Sequence, residues 1–155
     1  MITYADGSLF DSPAQTLACP VNTVGVMGAG LALAFKRRYS DSFTPYRNAC
    51  ADGLLRPGVP WLYERPEAPH ILHFPTKRHW REPSDIGDIS QGLAWVRENQ
   101  HRFVSLALPA LGCGLGGLAW ADVRERIERH LGNAPLPVFV YTPAVRAGAG
   151  MRLGW

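Results

Sequence analysis

No apolar run in this chain approaches the ~20 residues that a membrane-crossing helix needs, so no transmembrane anchor is expected. The opening residues, MITYADGSLF, lack a basic patch followed by an apolar stretch, and a secretory leader is not expected either. Cysteine is scarce. Cys19, Cys50 and Cys113 are odd in number, widely spaced and in no CxxC pair, which argues against a disulfide framework and against a metal centre. Reduced thiols in a cytoplasmic protein are the simplest expectation. Repeats and low-complexity segments are absent. So are a G-x-G-x-x-G followed by an acidic residue at the right distance and a G-x-x-x-x-G-K-S/T, which removes the Rossmann and P-loop fingerprints.

What remains is an ordinary globular composition, 46% hydrophobic and 19% charged over 155 residues, enough for one domain with a substantial core. The net charge is only +3, but the cations cluster at Lys36-Arg37-Arg38 and at Lys77-Arg78-His79 with Arg81. Either cluster alone reads as solvated surface; together they favour an anionic partner such as a nucleotide or nucleic acid.

Periodicity predicts strands at Ile2–Tyr4 (an edge), Thr16–Val21, Pro60–Glu64, His70–Phe74, Val104–Leu108 and Pro137–Tyr141. It predicts helices at Gly30–Tyr39, Ser42–Ala51, Asp88–Gln100 and Ala121–Leu131, the first of them buried and ending in cations. Strands alternating with helices imply an α/β fold, three layers around a central mixed sheet. The Gly- and Ala-rich stretch 143–155 reads as a C-terminal tail, held if Leu153 and Trp155 are buried.

Two glycine loops stand out. Gly25, Gly28, Ala29 and Gly30 lie between a strand and a helix, and so do Gly112, Gly114, Gly116 and Gly117. At such a junction the main-chain N–H groups are unpaired, the helix dipole adds positive potential, and missing side chains let a phosphate touch the backbone. Ligands of open α/β sheets bind at the carboxyl ends of the strands, so the two loops are expected either to grip a pyrophosphate from both sides or to serve packing alone. A third segment, HFPTKRHWREPSD, packs Lys77, Arg78, His79, Trp80 and Arg81 into a loop. Either Trp80 folds into the core, or cations and an aromatic ring together hold single-stranded nucleic acid.

The stretches VNTVGVMGAGLALAFK, FPTKRHWR and LPALGCGLGGLAW, in this order, resemble macrodomains. More narrowly they are similar to the branch containing the DarG-type DNA ADP-ribosyl glycohydrolase antitoxins and the terminal ADP-ribose protein glycohydrolase of animals. The resemblance implies a macrodomain over residues 1–142 that binds ADP-ribose across the carboxyl edge of the sheet. It implies that Gly25, Val26, Met27, Gly28 and Ala29 meet the distal ribose and diphosphate, and that Gly112, Cys113, Gly114, Leu115, Gly116 and Gly117 close over the diphosphate from the other side. Asn22 matches the asparagine facing the distal ribose, although an Asn at a strand end can equally cap its own turn. Lys77 matches the branch's catalytic lysine.

Two positions depart from the family pattern. Ser8, followed by Leu9, stands where many macrodomains carry an adenine-binding aspartate, and Asp6 is the nearest substitute. Gly116 stands where the animal enzyme has an aspartate. The implied activity is hydrolysis of the bond between C1 of the distal ribose and its leaving group, first of all thymidine in single-stranded DNA. Lys77 acts as a cation or proton donor or else as an amine nucleophile, and Arg78, His79, Trp80 and Arg81 hold the DNA. The alternatives are hydrolysis of ADP-ribose esters on Glu or Asp of proteins, or a non-catalytic ADP-ribose reader. No cofactor and no metal are expected; the partners are ADP-ribose, ADP-ribosylated DNA or protein, and, if the chain is an antitoxin, a toxin transferase. A cytoplasmic monomer is the expected form.

Overall fold

The computed structural model describes residues 1–143. Ten main elements follow one another: β1 (Ile2–Ala5), β2 (Thr16–Asn22), α1 (Gly30–Arg38), α2 (Phe43–Ala51), β3 (Trp61–Tyr63), β4 (His70–Lys77), α3 (Ile86–Glu98), β5 (Leu106–Leu108), α4 (Trp120–Leu131) and β6 (Val138–Tyr141). The strands form one sheet in the order β1-β6-β5-β2-β4-β3. All neighbours run parallel except β3, which is antiparallel to β4. The expected mixed sheet is therefore present, with β1 at one edge.

Both faces of the sheet are covered, as parallel strands require. Residues of β2 alternate between the two cores. Leu17, Cys19 and Val21 pack with Phe35 of α1 and with Tyr46 and Ala49 of α2. Ala18 packs on the other face with Ile89, Leu93 and Val96 of α3 and Val123, Ile127 and Leu131 of α4. The period-2 and period-3.6 patterns thus meet in three layers.

Three expectations need correction. α1 is not a buried helix: Phe35 is its one buried residue, and the others are half-buried or exposed. β5 starts at Leu106 rather than Val104, which is 72% exposed. β4 does not stop at Phe74 but runs through Pro75 and Thr76 to Lys77. Proline has no N–H for a sheet ladder and normally marks an edge or a bulge. The pairing accommodates it with an irregularity: Val21 pairs with Pro75 but the next residue, Asn22, pairs with Lys77, so Thr76 is the extra residue. The expected anchoring of the tail by Leu153 and Trp155 lies outside the described residues.

Candidate active site

Because β5, β2 and β4 are adjacent and parallel, their carboxyl ends meet at one edge of the sheet. The first glycine turn leaves β2, the lysine loop leaves β4 and the second glycine turn leaves β5. Between them lies an open cleft of about 360 Å³, a size suited to a small-molecule ligand. Asn22, Val26, Gly28 and Ala29 line it from the first turn. Thr76, Lys77 and Trp80 line it from β4 and its loop, and Gly112, Leu115 and Gly116 from the second turn. Three segments that are far apart in sequence thus form one wall.

The β-bulge sets the lysine. Successive side chains of a regular strand point to opposite faces, yet Thr76 and Lys77 both border the cleft. The extra residue re-aims the strand end and places Lys77 directly across from Asn22. Lys77 Nζ donates to the Trp80 carbonyl at 3.3 Å, which folds the side chain back over its own loop.

Asn22 organises the first turn. Its Oδ1 accepts from the N–H groups of Val24, Gly25 and Val26 at 3.1, 3.1 and 3.3 Å. Its Nδ2 donates to the Val26 carbonyl at 2.7 Å. The Tyr46 hydroxyl lies 2.8 Å from the Asn22 carbonyl and 2.9 Å from Oδ1. The carboxamide oxygen is therefore fully engaged by its own turn, and one Nδ2 hydrogen remains for a ligand. Tyr46 is wholly buried, and burial pushes its phenol well above the usual range, so it stays neutral and available as a donor. Sequence reading missed Tyr46, since a tyrosine in a helix core carries no motif. Pro20, Val21 and Ala32 also line the cleft, Pro20 just before the stretch VNTVGVMGAGLALAFK and the other two within it.

The first helix contributes an anion site. α1 starts at Gly30 with Ala29 as its N-cap, and no side chain caps it. Its first-turn N–H groups and the positive end of its dipole open at the cleft wall formed by Gly28 and Ala29.

The second turn is tightly built. Gly112 has φ 73°, a left-handed conformation, and Gly116 is closed in by its neighbours. A Cβ at Gly116 would stand 2.1 Å from Ser84 Oγ and 2.6 Å from the Gly112 carbonyl oxygen. Ser84 N–H also donates to the Gly116 carbonyl at 3.0 Å. Glycine at 116 is therefore a packing requirement here, and an aspartate does not fit.

The lysine loop splits into two roles. Arg78 turns away and forms a paired contact with Asp88 of α3, Nε to Oδ2 at 3.1 Å and a second nitrogen to Oδ1 at 3.2 Å. Its guanidinium is pushed further up by that carboxylate. Its carbonyl accepts from Thr23 Oγ1 at 2.7 Å, tying this loop to the first glycine turn. Trp80 does not fold into the core: it is 46% exposed. His79 stacks on it at 5.2 Å, and the Arg81 guanidinium lies 4.4 Å from its ring centre on the far side in sequence. His79, Trp80 and Arg81 form a stacked cation–aromatic group beside Lys77.

The remaining expected residues lie off the cleft walls. Ser8 caps a short turn by accepting from the Phe10 N–H at 3.2 Å, and Leu9 is buried in the core beneath it. Asp6 accepts from Thr142 Oγ1 at 3.0 Å. Met27 and Cys113 are buried under their turns, at 2% and 7% exposure. Gly25 faces Arg47 of α2 rather than the cleft, and Gly114 and Gly117 shape the second turn, the Gly117 N–H donating to the Gly114 carbonyl.

Comparison with known proteins follows the same outline. A family model described as Macro domain matches residues 18–127. A fusion protein of Thermosipho africanus, described as a DNA ADP-ribosyl transferase–DNA ADP-ribosyl glycohydrolase, is 40% identical over 92% of this chain and 42% of its own length. The DNA ADP-ribosyl glycohydrolase of Mycobacterium tuberculosis is 38% identical over the whole of this chain and 47% of its own. The chain thus spans less than half the length of these curated relatives. Among solved structures, the macrodomain of Thermus aquaticus DarG superposes with a TM-score of 0.86 at 40% identity, covering 92% of this chain and 99% of that one. Thermosipho africanus DarTG in complex with ADP-ribose gives 0.88 at 41% identity, covering 92% of this chain and 41% of that one.

Proposed function

The chain belongs to the Macro domain family, and on that premise we propose that it is an ADP-ribosyl glycohydrolase that removes ADP-ribose from thymidine in single-stranded DNA. One observation carries the reading: two turns of bare main chain and the Lys77 side chain border the same cleft. The α1 N-terminus and the two turns bind the diphosphate, and the free Nδ2 hydrogen of Asn22 orients a hydroxyl of the distal ribose. That places C1 of this ribose beside Lys77. As the C1–N bond to the thymine breaks, the sugar gains oxocarbenium character and the electron pair moves to the imide of the base. The Lys77 ammonium stabilises that anion. Water forms the new C1–O bond, and its proton ends on the released thymine. Gly116 leaves no carboxylate to resolve a lysine adduct, so the electrostatic role is favoured over the nucleophilic one.

The likeness to DNA ADP-ribosyl glycohydrolases supports DNA as substrate, and so does the exposed His79–Trp80–Arg81 stack next to the lysine, a cation–aromatic group of the kind that holds single strands. The fused transferase of the Thermosipho africanus relative supports a DNA-modifying toxin as the source of the substrate. The test is release of ADP-ribose from an ADP-ribosylated thymidine oligonucleotide and from an ester-linked glutamyl peptide, with Lys77→Ala as control. Release from DNA, lost in Lys77→Ala, is expected. Trp80→Ala should weaken the DNA substrate by about 1–3 kcal/mol of stacking, more than it weakens free ADP-ribose, and equal losses would make Trp80 structural. Release from the peptide alone, or ADP-ribose binding with no release from either, overturns the proposal. A borohydride-trapped Lys77 adduct overturns the electrostatic role.

A further inference from the structure

Beyond the cleft, two cations share one aromatic ring. Lys36 of α1 stands one turn after Ala32, which lines the cleft, on the same helix face. Its Nζ lies 4.2 Å from the centre of the Phe43 ring. Arg47 of α2 approaches the same ring, with Cζ at 5.8 Å. The aliphatic stem of Arg47 packs on Gly25, where a Cβ would come 3.2 Å from Arg47 Cγ. Gly25 therefore meets Arg47 while its neighbour Val26 lines the cleft, so the first glycine turn lies between Arg47 and the site.

Several cations among the described residues lack a carboxylate partner, and what sets Lys36 and Arg47 apart is that they share one aromatic ring. Arg65, Arg78, Arg124, Arg126 and Arg129 each meet a carboxylate. Among the described residues, neither Lys36 nor Arg47 has an acidic partner within ion-pair distance. The dipole of α1 accounts for a cation in its last turn, but Arg47 sits in the middle of α2, where no helix end explains it. Two like charges held against one ring repel each other, and an anion arriving from solvent relieves that repulsion. On the turn between Arg47 and the cleft, Val24 exposes an apolar side chain, 46% accessible. Cations spaced along a surface with apolar contacts between them match the backbone and bases of a single strand.

We infer that Lys36 and Arg47 form a second phosphate-binding shelf, which holds the DNA strand flanking the modified nucleotide across the first glycine turn from the cleft. The inference rests on the DNA reading of the cleft. It adds a strand path to that reading: phosphates on the shelf, the modified nucleotide over the turn, and its base on the Trp80 ring.

The probe is an unmodified thymidine-rich single-stranded oligonucleotide, with its affinity measured over a range of salt for the whole chain and for the Lys36→Gln/Arg47→Gln variant. Each lost phosphate contact lowers the slope of log affinity against log salt by about 0.7 for a single strand. The double variant should therefore show a slope shallower by about 1.4 and a several-fold weaker affinity at moderate salt. Free ADP-ribose affinity and the melting temperature, measured alongside, should be unchanged, which shows that the variant is folded and its cleft intact. An unchanged slope and affinity for the oligonucleotide overturn the shelf and leave the cleft reading standing. Failure of the unsubstituted protein to release ADP-ribose from DNA overturns the cleft reading, and the shelf with it.

Discussion

His73 makes this fold acid-sensitive in a defined window. It lies on β4, wholly buried between the Tyr46 ring, stacked at 5.3 Å, and the Trp61 ring at 5.6 Å. Neither ring nitrogen makes a hydrogen bond of normal geometry. Burial lowers its pKa from 6.5 to about 4, and a weak approach of the Trp61 main chain offsets little of this. The unfolded chain therefore binds a proton near pH 6.5 that the folded chain refuses until about pH 4. Stability is fully present above the unfolded value and is lost as pH falls through this interval. A gap of about 2.5 units at 1.36 kcal/mol each amounts to about 3 kcal/mol in full, of which about 2 is already lost at about pH 4.5. Replacing His73 by Phe keeps a flat ring in the sandwich and removes the proton site. Denaturant unfolding of both proteins at pH 7 and pH 4.5 gives the test. The difference between them cancels groups elsewhere, such as His130, whose pKa burial also lowers. The unsubstituted protein should lose about 2 kcal/mol more than His73→Phe over that range. Equal losses would refute the reasoning and mean that a buried donor or acceptor already satisfies the ring.

Two further outcomes follow from the cleft. Tyr46→Phe keeps the ring on His73 but removes the hydroxyl that meets Asn22, so it should cost about 1 kcal/mol in unfolding and weaken ADP-ribose binding several-fold by calorimetry; unchanged ADP-ribose affinity would show that the first turn holds itself. Gly116→Ala should lower ADP-ribose affinity at least tenfold in the same titration, since the added methyl comes closer to Ser84 Oγ and a main-chain oxygen than van der Waals contact allows; wild-type affinity would show that the second turn yields without cost.

Much of the fold was legible because the elements are regular. The alternation of Leu17, Ala18 and Cys19 between two cores, and the aligned faces of Ile89–Leu93–Val96 and Val123–Ile127–Leu131, follow directly from their periods. The two glycine turns and the lysine loop were also legible as segments, and the sheet order brings them together. What local pattern hides is long-range. Pro75 reads as a strand end, and only its pairing partner β2 reveals the bulge that carries the strand on to Lys77. Asn22 reads equally as a ligand contact or a turn cap, and the Tyr46 hydroxyl, 24 residues away, shows how far its oxygen is committed. Arg78 looks like its basic neighbours until Asp88 appears ten residues on, across the start of α3.

The irregular pairing at Thr76 has an evolutionary corollary. It works as a spacer of one residue, and its value lies in length rather than in chemistry. Exchanging Thr76 for another small residue leaves the count intact, whereas deleting it removes the irregularity and re-aims Lys77, the last residue of β4. Position 76 should thus tolerate a change of residue type, while the segment from Phe74 to Lys77 forbids a change of length, the reverse of what a surface loop allows.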